Sequence, residues 1–333
     1  MKARIAKMVA PCKIEIFEEE MPEPQEGEFL VKVIACGLCH SDVPFYRGKK
    51  DPTRRGGGVA PTQPGSIFPY PIGHELNGVV EAVGPGVSGF KVGDRVGGLV
   101  FASFATHVMC KVSSHVGKIA EEVPLDTTLA EPLMCITNIV RAANPEIGDY
   151  VAVVGTGFMG LLTIAGLSHC PVREVIAIDL VDERLQVAKE MAATKTVNPK
   201  KQDPVAAVMD ITGGHGADVA IDITGRYAGL ALATKIIKPR RGKILAPSFY
   251  AEPETVDMGP ELLSKVPIIH SVHPGYSQDY ARDVEAGVWA ARKGIMPIEK
   301  LITHRFKLDE IDRAFETLVS NPPGFIKGVV LMD

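Results

Sequence analysis

The stretch Val151-Ala152-Val153-Val154-Gly155-Thr156-Gly157-Phe158-Met159-Gly160 decides the fold. An apolar run ends on a glycine, the glycines follow the pattern G-x-G-x-x-G, and a helical segment opens at Phe158. Gly-rich turns are common, so the pattern alone carries little. Its setting makes it specific: it lies between a strand and a helix, and Asp179 follows 19 residues after Gly160 at the end of the next strand. Gly155 allows the tight turn, Gly157 lets backbone approach a pyrophosphate, and Gly160 permits close packing of helix on strand. Thr156, Phe158 and Met159 complete the turn, and the helix N-terminus offers N–H groups to phosphate. Asp179 is then placed to accept hydrogen bonds from the adenosine ribose hydroxyls. A carboxylate there repels a 2′-phosphate, and Leu180 and Val181 supply no compensating cation, so NAD is favoured over NADP.

Outward from this turn the chain alternates strand and helix. Strands are expected at 150–154, 174–179, 218–222 and 243–246, with helices at 158–168 and 182–193. Such alternation implies an α/β, doubly wound parallel sheet over 133–273. Residues 1–132 read differently, as short apolar segments broken by Gly and Pro, which argues for a β-rich domain. After about 274 come two amphipathic helices, one at 279–292 and one carrying Leu308, Ile311, Phe315 and Leu318, then an apolar strand at 328–332.

Composition sets the class. At 333 residues the chain exceeds what one core usually serves, so two domains are expected. With 46% hydrophobic and 23% charged residues and a formal net charge of −4, it has no global attraction for nucleic acid or an anionic membrane. The N-terminus lacks a signal-peptide apolar run, and no stretch is long enough to span a bilayer. Six dispersed cysteines are not a disulfide framework. The expectation is a cytoplasmic protein.

Three residues upstream of the turn carry chemistry: Cys39 in Gly37-Leu38-Cys39-His40-Ser41-Asp42, His74 in Gly73-His74-Glu75, and Glu131 in Ala130-Glu131-Pro132-Leu133. Singly, each has a bland reading: a core cysteine, a core histidine, a surface carboxylate. Together, just before a dinucleotide fold, a thiolate, an imidazole and a carboxylate suit one catalytic zinc with a position left open. Between residues 75 and 130 only Cys110 occurs, so no structural zinc is expected. Cys36 and Cys39 form C-x-x-C after a strand rather than at a helix start, which argues against a redox pair. A Lewis acid and a hydride carrier in one chain point to oxidoreduction of an alcohol and its carbonyl.

These motifs resemble the zinc-dependent medium-chain dehydrogenases, the superfamily of alcohol, sorbitol and threonine dehydrogenases. The likeness also includes Val92-Gly93-Asp94-Arg95-Val96, Gly213-Gly214-His215-Gly216-Ala217-Asp218, Ile302-Thr303-His304-Arg305-Phe306 and Ile326-Lys327. The resemblance implies a GroES-like catalytic domain of 1–132 and 274–333 flanking the Rossmann domain, with the active site in the cleft and a homodimer or homotetramer as the assembly. It places Cys39, His74 and Glu131 as zinc ligands, Glu75 as an alternative ligand and Asp42 as the group orienting His74. It assigns Ser41 to the proton relay, and His40 and Lys327 to the cofactor pyrophosphate. Glutamate at the third ligand position looks like the polyol-dehydrogenase branch.

The chain departs from the family in three ways. The four-cysteine structural-zinc lobe is missing, and Pro44 stands where several alcohol dehydrogenases place a relay histidine. The third departure is the step of 35 positions from Cys39 to His74, a longer interval than the family usually shows. The extra residues include Arg47, Lys49, Lys50, Arg54 and Arg55, either a solvated surface insertion or a site for an anionic group on the substrate. Phe45, Tyr46 and Phe101 are candidates to line the substrate pocket. Two other readings remain at this level: a zinc-free quinone or enoyl reductase of the same superfamily, and a non-catalytic NAD-binding protein. The intact ligand set argues against both.

Overall fold

In the computed structural model, residues 1–50 and 68–332 are described. They form two units, each around its own apolar core. The first comprises Met1–Met134, Asp279–Arg292 and the chain from Ile298 onward; the second comprises Cys135–Gln278 and Lys293–Pro297. Relative to the division expected from sequence, 133–134 group with the first unit, and 274–278 and Lys293–Pro297 with the second.

The first unit opens with β1 (Lys2–Ala10), β2 (Lys13–Glu20), β3 (Glu28–Gly37), the short α1 (Val43–Tyr46) and β4 (Tyr70–Pro71). It continues through β5 (Glu75–Val83), β6 (Arg95–Leu99), β7 (His107–Lys111), β8 (His115–Lys118) and the start of α2 (Ala130–Ala143). Pro132 is tolerated in α2 because it falls in the first turn, where N–H groups lack intrahelical acceptors.

The second unit runs β9 (Tyr150–Val154), α3 (Phe158–Leu167), β10 (Glu174–Ile178), α4 (Asp182–Glu190), β11 (Lys195–Val197) and α5 (Pro204–Ile211). It is completed by β12 (Val219–Asp222), α6 (Tyr227–Ile236), β13 (Lys243–Ala246), α7 (Gly259–Lys265) and β14 (Ile268–Ser271). The chain then returns to the first unit with α8 (Tyr280–Arg292), β15 (Ile302–Lys307), α9 (Ile311–Ser320) and β16 (Lys327–Leu331).

In the first unit a seven-stranded sheet is ordered β15-β16-β3-β5-β6-β8, with β7 also paired to β3, beside a three-stranded sheet β2-β1-β4. Strands β3 and β5 are antiparallel, with Cys36 opposite Leu76 and Gly37 opposite Glu75. Phe29, Phe104 and Phe315 are fully buried at the centre. The Phe104 and Phe315 rings meet edge to face at 5.6 Å, and the Tyr46 ring lies 4.9 Å from Phe315. Helix α9 buries Ile311, Ala314, Phe315 and Leu318, the stripe expected from sequence. Leu308 instead sits in a 3₁₀ turn, Leu308–Glu310, ahead of that helix. Phe104 is core but precedes β7, which begins at His107.

The second unit is a six-stranded sheet ordered β11-β10-β9-β12-β13-β14, parallel at every pairing. From β9 the chain winds to one edge, then returns and winds to the other. The strand order therefore reverses between β9 and β12, where open α/β sheets bind ligands. Four residues of β9 and nearly all of α3 are buried, which is why their sequences are apolar without a polar face. Helix α5 starts on Pro204, and the Asp203 side chain accepts from the N–H groups of Val205 and Ala206.

Candidate active site

The ladder between β3 and β5 brings together residues distant in sequence. Because Gly37 faces Glu75 across it, Cys39, two residues past β3, comes beside His74, one residue before β5. Two glycines make room. An added Cβ at Gly37 would lie 1.9 Å from Glu75 Oε2, and one at Gly73, where φ is +91°, would lie 2.5 Å from the Phe104 ring. The result is a cluster in which one donor atom from each of Cys39, His74 and Glu75 lies within 4.8 Å of the others. His74 and Glu75 are buried, Cys39 half-buried.

Asp42, buried in the 3₁₀ turn after Cys39, pairs through Oδ1 with His74 Nδ1 at 3.0 Å. That contact directs Nε2 toward the cluster. Burial pulls the His74 pKa down, but the charge and hydrogen bond of Asp42, with Cys39 adding to them, hold it well above the ordinary imidazole range. The Ser41 hydroxyl donates to Cys39 Sγ at 3.2 Å and lies 3.4 Å from His74 Nε2.

Lys327 is almost wholly buried, at the first position of β16. Its ammonium donates to Glu75 Oε1 at 2.6 Å and to the Leu38 carbonyl at 2.8 Å. Burial acts to lower its pKa, and the charges of Glu75 and Cys39 outweigh that and raise it. One lysine thus ties the residue before Cys39 to the residue after His74. The second Glu75 oxygen, Oε2, is buried with no hydrogen-bond partner. A soft sulfur, an imidazole nitrogen and an unsatisfied carboxylate oxygen fit a zinc ion.

Glu131 is buried in the first turn of α2, and its charge acts on Lys327. Among the described residues it stands outside the group of three converging donors, whose carboxylate comes from Glu75. His40 is exposed in the 3₁₀ turn. Phe101 is 71% exposed with its ring 6.3 Å from that of His74, so it borders the cluster. Tyr46 does not line a pocket: it is a core side chain whose hydroxyl donates to the Cys12 carbonyl.

In the second unit the glycine turn takes the form its sequence implies. Gly155 has φ +98°, and its N–H donates to the Ile178 carbonyl at 2.8 Å. Around Gly157 an added Cβ would meet nothing within 4 Å; at Gly160 it would lie 2.0 Å from the Gly155 carbonyl oxygen. The first space is open for a ligand and the second is filled by helix on strand. Phe158 and Gly160 are buried and Met159 is half-buried in the first turn of α3. Thr156 is fully buried, and its Oγ1 has no hydrogen-bond partner. Asp179 accepts from the Thr156 N–H at 2.7 Å and the Val181 N–H at 3.0 Å. Each oxygen keeps acceptor capacity beyond those bonds. This cradle fits a dinucleotide.

Residues 25–133 match the family model described as alcohol dehydrogenase GroES-like domain, and residues 159–288 match that of zinc-binding dehydrogenase. L-threonine 3-dehydrogenase of Bacillus subtilis is 30% identical over 345 residues, covering 92% of both chains. The chain belongs to the zinc-type medium-chain dehydrogenase/reductase superfamily. Like other members it pairs a GroES-like domain with a Rossmann fold, and it is an NAD-dependent enzyme of the alcohol dehydrogenase type. Two solved structures are similar over almost the whole chain. One is 2R,3R-butanediol dehydrogenase from Bacillus subtilis, with TM-score 0.81 and 26% identity over 99% of this chain and 100% of that one. The other is benzyl alcohol dehydrogenase from Acinetobacter calcoaceticus, with TM-score 0.84 and 24% identity over 100% of both, a likeness of fold.

No helix among the described residues is long and apolar enough to cross a membrane. Of the basic run expected to meet an anion, Arg47 and Lys49 are exposed and Lys50 is half-buried. Arg54 and Arg55 lie outside the described residues.

Proposed function

We propose that the enzyme oxidises small secondary alcohols bearing a second polar group on the neighbouring carbon, and reduces the matching ketones, using one catalytic zinc and NAD(H). The convergence of Cys39, His74 and Glu75 carries this reading. Cys39 Sγ and His74 Nε2 would hold the ion with the Glu75 carboxylate; Glu131, the third ligand implied by the family resemblance, is the alternative carboxylate. When bound, the metal supplies a Lewis acid at the substrate oxygen and the nicotinamide a two-electron acceptor for the carbinol hydride.

The chain's own residues do the rest. Asp42 fixes the His74 tautomer, and Lys327 holds Glu75 by one oxygen. Ser41 Oγ, beside both Cys39 and His74, takes the hydroxyl proton and passes it to water, since Pro44 offers no further relay. Phe101 supplies an apolar wall. Gly155, Gly157 and the start of α3 receive the pyrophosphate, and Asp179 receives the ribose.

Two relatives support the substrate class. Threonine at C3 and butanediol, named for the similar proteins, are both secondary alcohols with a heteroatom on the adjacent carbon. The basic run from Arg47 to Arg55 supports a substrate that also carries an anionic group. A screen of diols, amino alcohols, sugar alcohols and their phosphate esters, followed by NADH absorbance with and without chelator, tests the reading. We expect turnover that chelation removes and added zinc restores; full turnover by protein free of metal would overturn it.

A further inference from the structure

The reversal point between β9 and β12 holds a buried network that the reaction scheme above does not use. Asp222, the last residue of β12, lies beside Val154, the residue before the glycine turn, and is fully buried. Its Oδ2 accepts from the Tyr250 hydroxyl at 2.6 Å. Oδ1 accepts from the Thr224 hydroxyl at 2.7 Å and from the Thr224 N–H at 3.1 Å. The surroundings are closed: a Cβ on Gly229 would lie 2.3 Å from Asp222 Oδ1 and 2.4 Å from Thr224 Oγ1. Only glycine lets α6 pass over this carboxylate.

Both partners lead to the dinucleotide cradle. Thr224 packs on the turn itself, since a Cβ on Gly155 would meet Thr224 Cγ2 at 3.0 Å and its nitrogen at 3.2 Å. Tyr250 belongs to the loop after β13, which is bound at two further places to the segment from the end of β12 to the start of α6. Ser248 donates to the Asp222 carbonyl at 3.4 Å, and Glu254 accepts from Arg226 at 3.0 Å and from the Ala228 N–H at 3.3 Å. The Tyr227 and Tyr250 rings lie 5.0 Å apart over the same segment. Burial and the Asp222 charge raise the Tyr250 pKa, which keeps its hydroxyl a donor.

We infer that Asp222 is a positioning residue for the dinucleotide: it sets Thr224 against Gly155 of the phosphate turn and, through Tyr250, fixes the loop after β13 at the same crevice. The inference rests on the dinucleotide reading of that turn. Asp222 is closed off by its own partners and acts through the two segments it joins. Buried carboxylates accepting several hydrogen bonds order what surrounds them, and a cradle held in its bound shape loses less freedom on binding.

NADH titration followed by fluorescence on wild type, Asp222→Asn and Tyr250→Phe, each with a thermal unfolding curve, tests it. We expect Asp222→Asn to raise the NADH dissociation constant about tenfold and Tyr250→Phe about threefold, a part of the free energy of a hydrogen bond to a charged group, because each acts on the cofactor through an intervening segment. With an alcohol from the screen, the loss should fall on KM for NAD rather than on kcat. In the double variant the effects should not add, because the hydroxyl acts through the carboxylate. The inference is overturned if folded Asp222→Asn binds NADH within twofold of wild type, or if binding falls only as far as the unfolded fraction accounts for. A wild-type protein that takes up no NADH would instead remove the dinucleotide reading beneath it, so the two failures are distinguishable.

Discussion

Lys327 and Glu75 form an ion pair almost without access to water, and each is set against a catalytic segment. Replacing one partner of such a pair leaves the other charge buried and uncompensated. Lys327→Met should therefore lose about 3–5 kcal/mol of stability in urea unfolding with chelator present. Added zinc should restore more stability to this variant than to wild type, because Glu75 then has a cation again. Equal recovery in the two proteins would mean that the Glu75 carboxylate does not face the metal. At the other site, Asp179 is held by the backbone of Thr156 and Val181. Asp179→Ala should weaken NADH binding about tenfold and narrow the gap between NADH and NADPH in fluorescence titration. An unchanged preference would show that Asp179 only ends a strand.

The turn between β9 and α3 contains two glycines that answer to different demands. Gly160 meets the Gly155 carbonyl, whereas Gly157 meets nothing and has an ordinary φ of −71°. Gly160→Ala should cost about 1–3 kcal/mol of stability by forcing helix from strand. Gly157→Ala should fold with an unaltered melting temperature yet bind NADH more weakly, since its methyl group enters the phosphate space. Calorimetry and titration on the two variants would separate these roles. This element was legible in the sequence because strand, turn and helix are contiguous and each glycine has a local reason. The strands of the second sheet were legible for a related cause, their burial on both faces. Helix α2 was not: its residues are buried almost all round, so no polar face marks its period, and Pro132 reads as a break.

At the scale of the molecule, the sequence named the metal candidates but not the geometry between them. Cys39, His74 and Asp42 could be read from their short motifs. Glu75 was expected only as an alternative ligand; its closeness to Cys39 and His74 could not be read, because it follows from the register that sets Gly37 opposite Glu75. Nor could the partners of Lys327 be read, since the pair spans 252 positions and exists only once β16 joins β3. Net charge supplies one more test. At −4 the whole molecule repels anions weakly at long range, so any attraction for an anionic alcohol must be local to the basic run. KM for a phosphorylated substrate should then climb with ionic strength while that for its neutral parent stays level; parallel curves would exclude a role for those cations.

The distance along the chain from Glu75 to Lys327 also orders events during synthesis. The ribosome releases the thiol, the imidazole and the carboxylate early, and their ammonium counterpart only with β16. The carboxylate of Glu75 therefore gains its counterion only when a segment 252 positions further along has paired with β3.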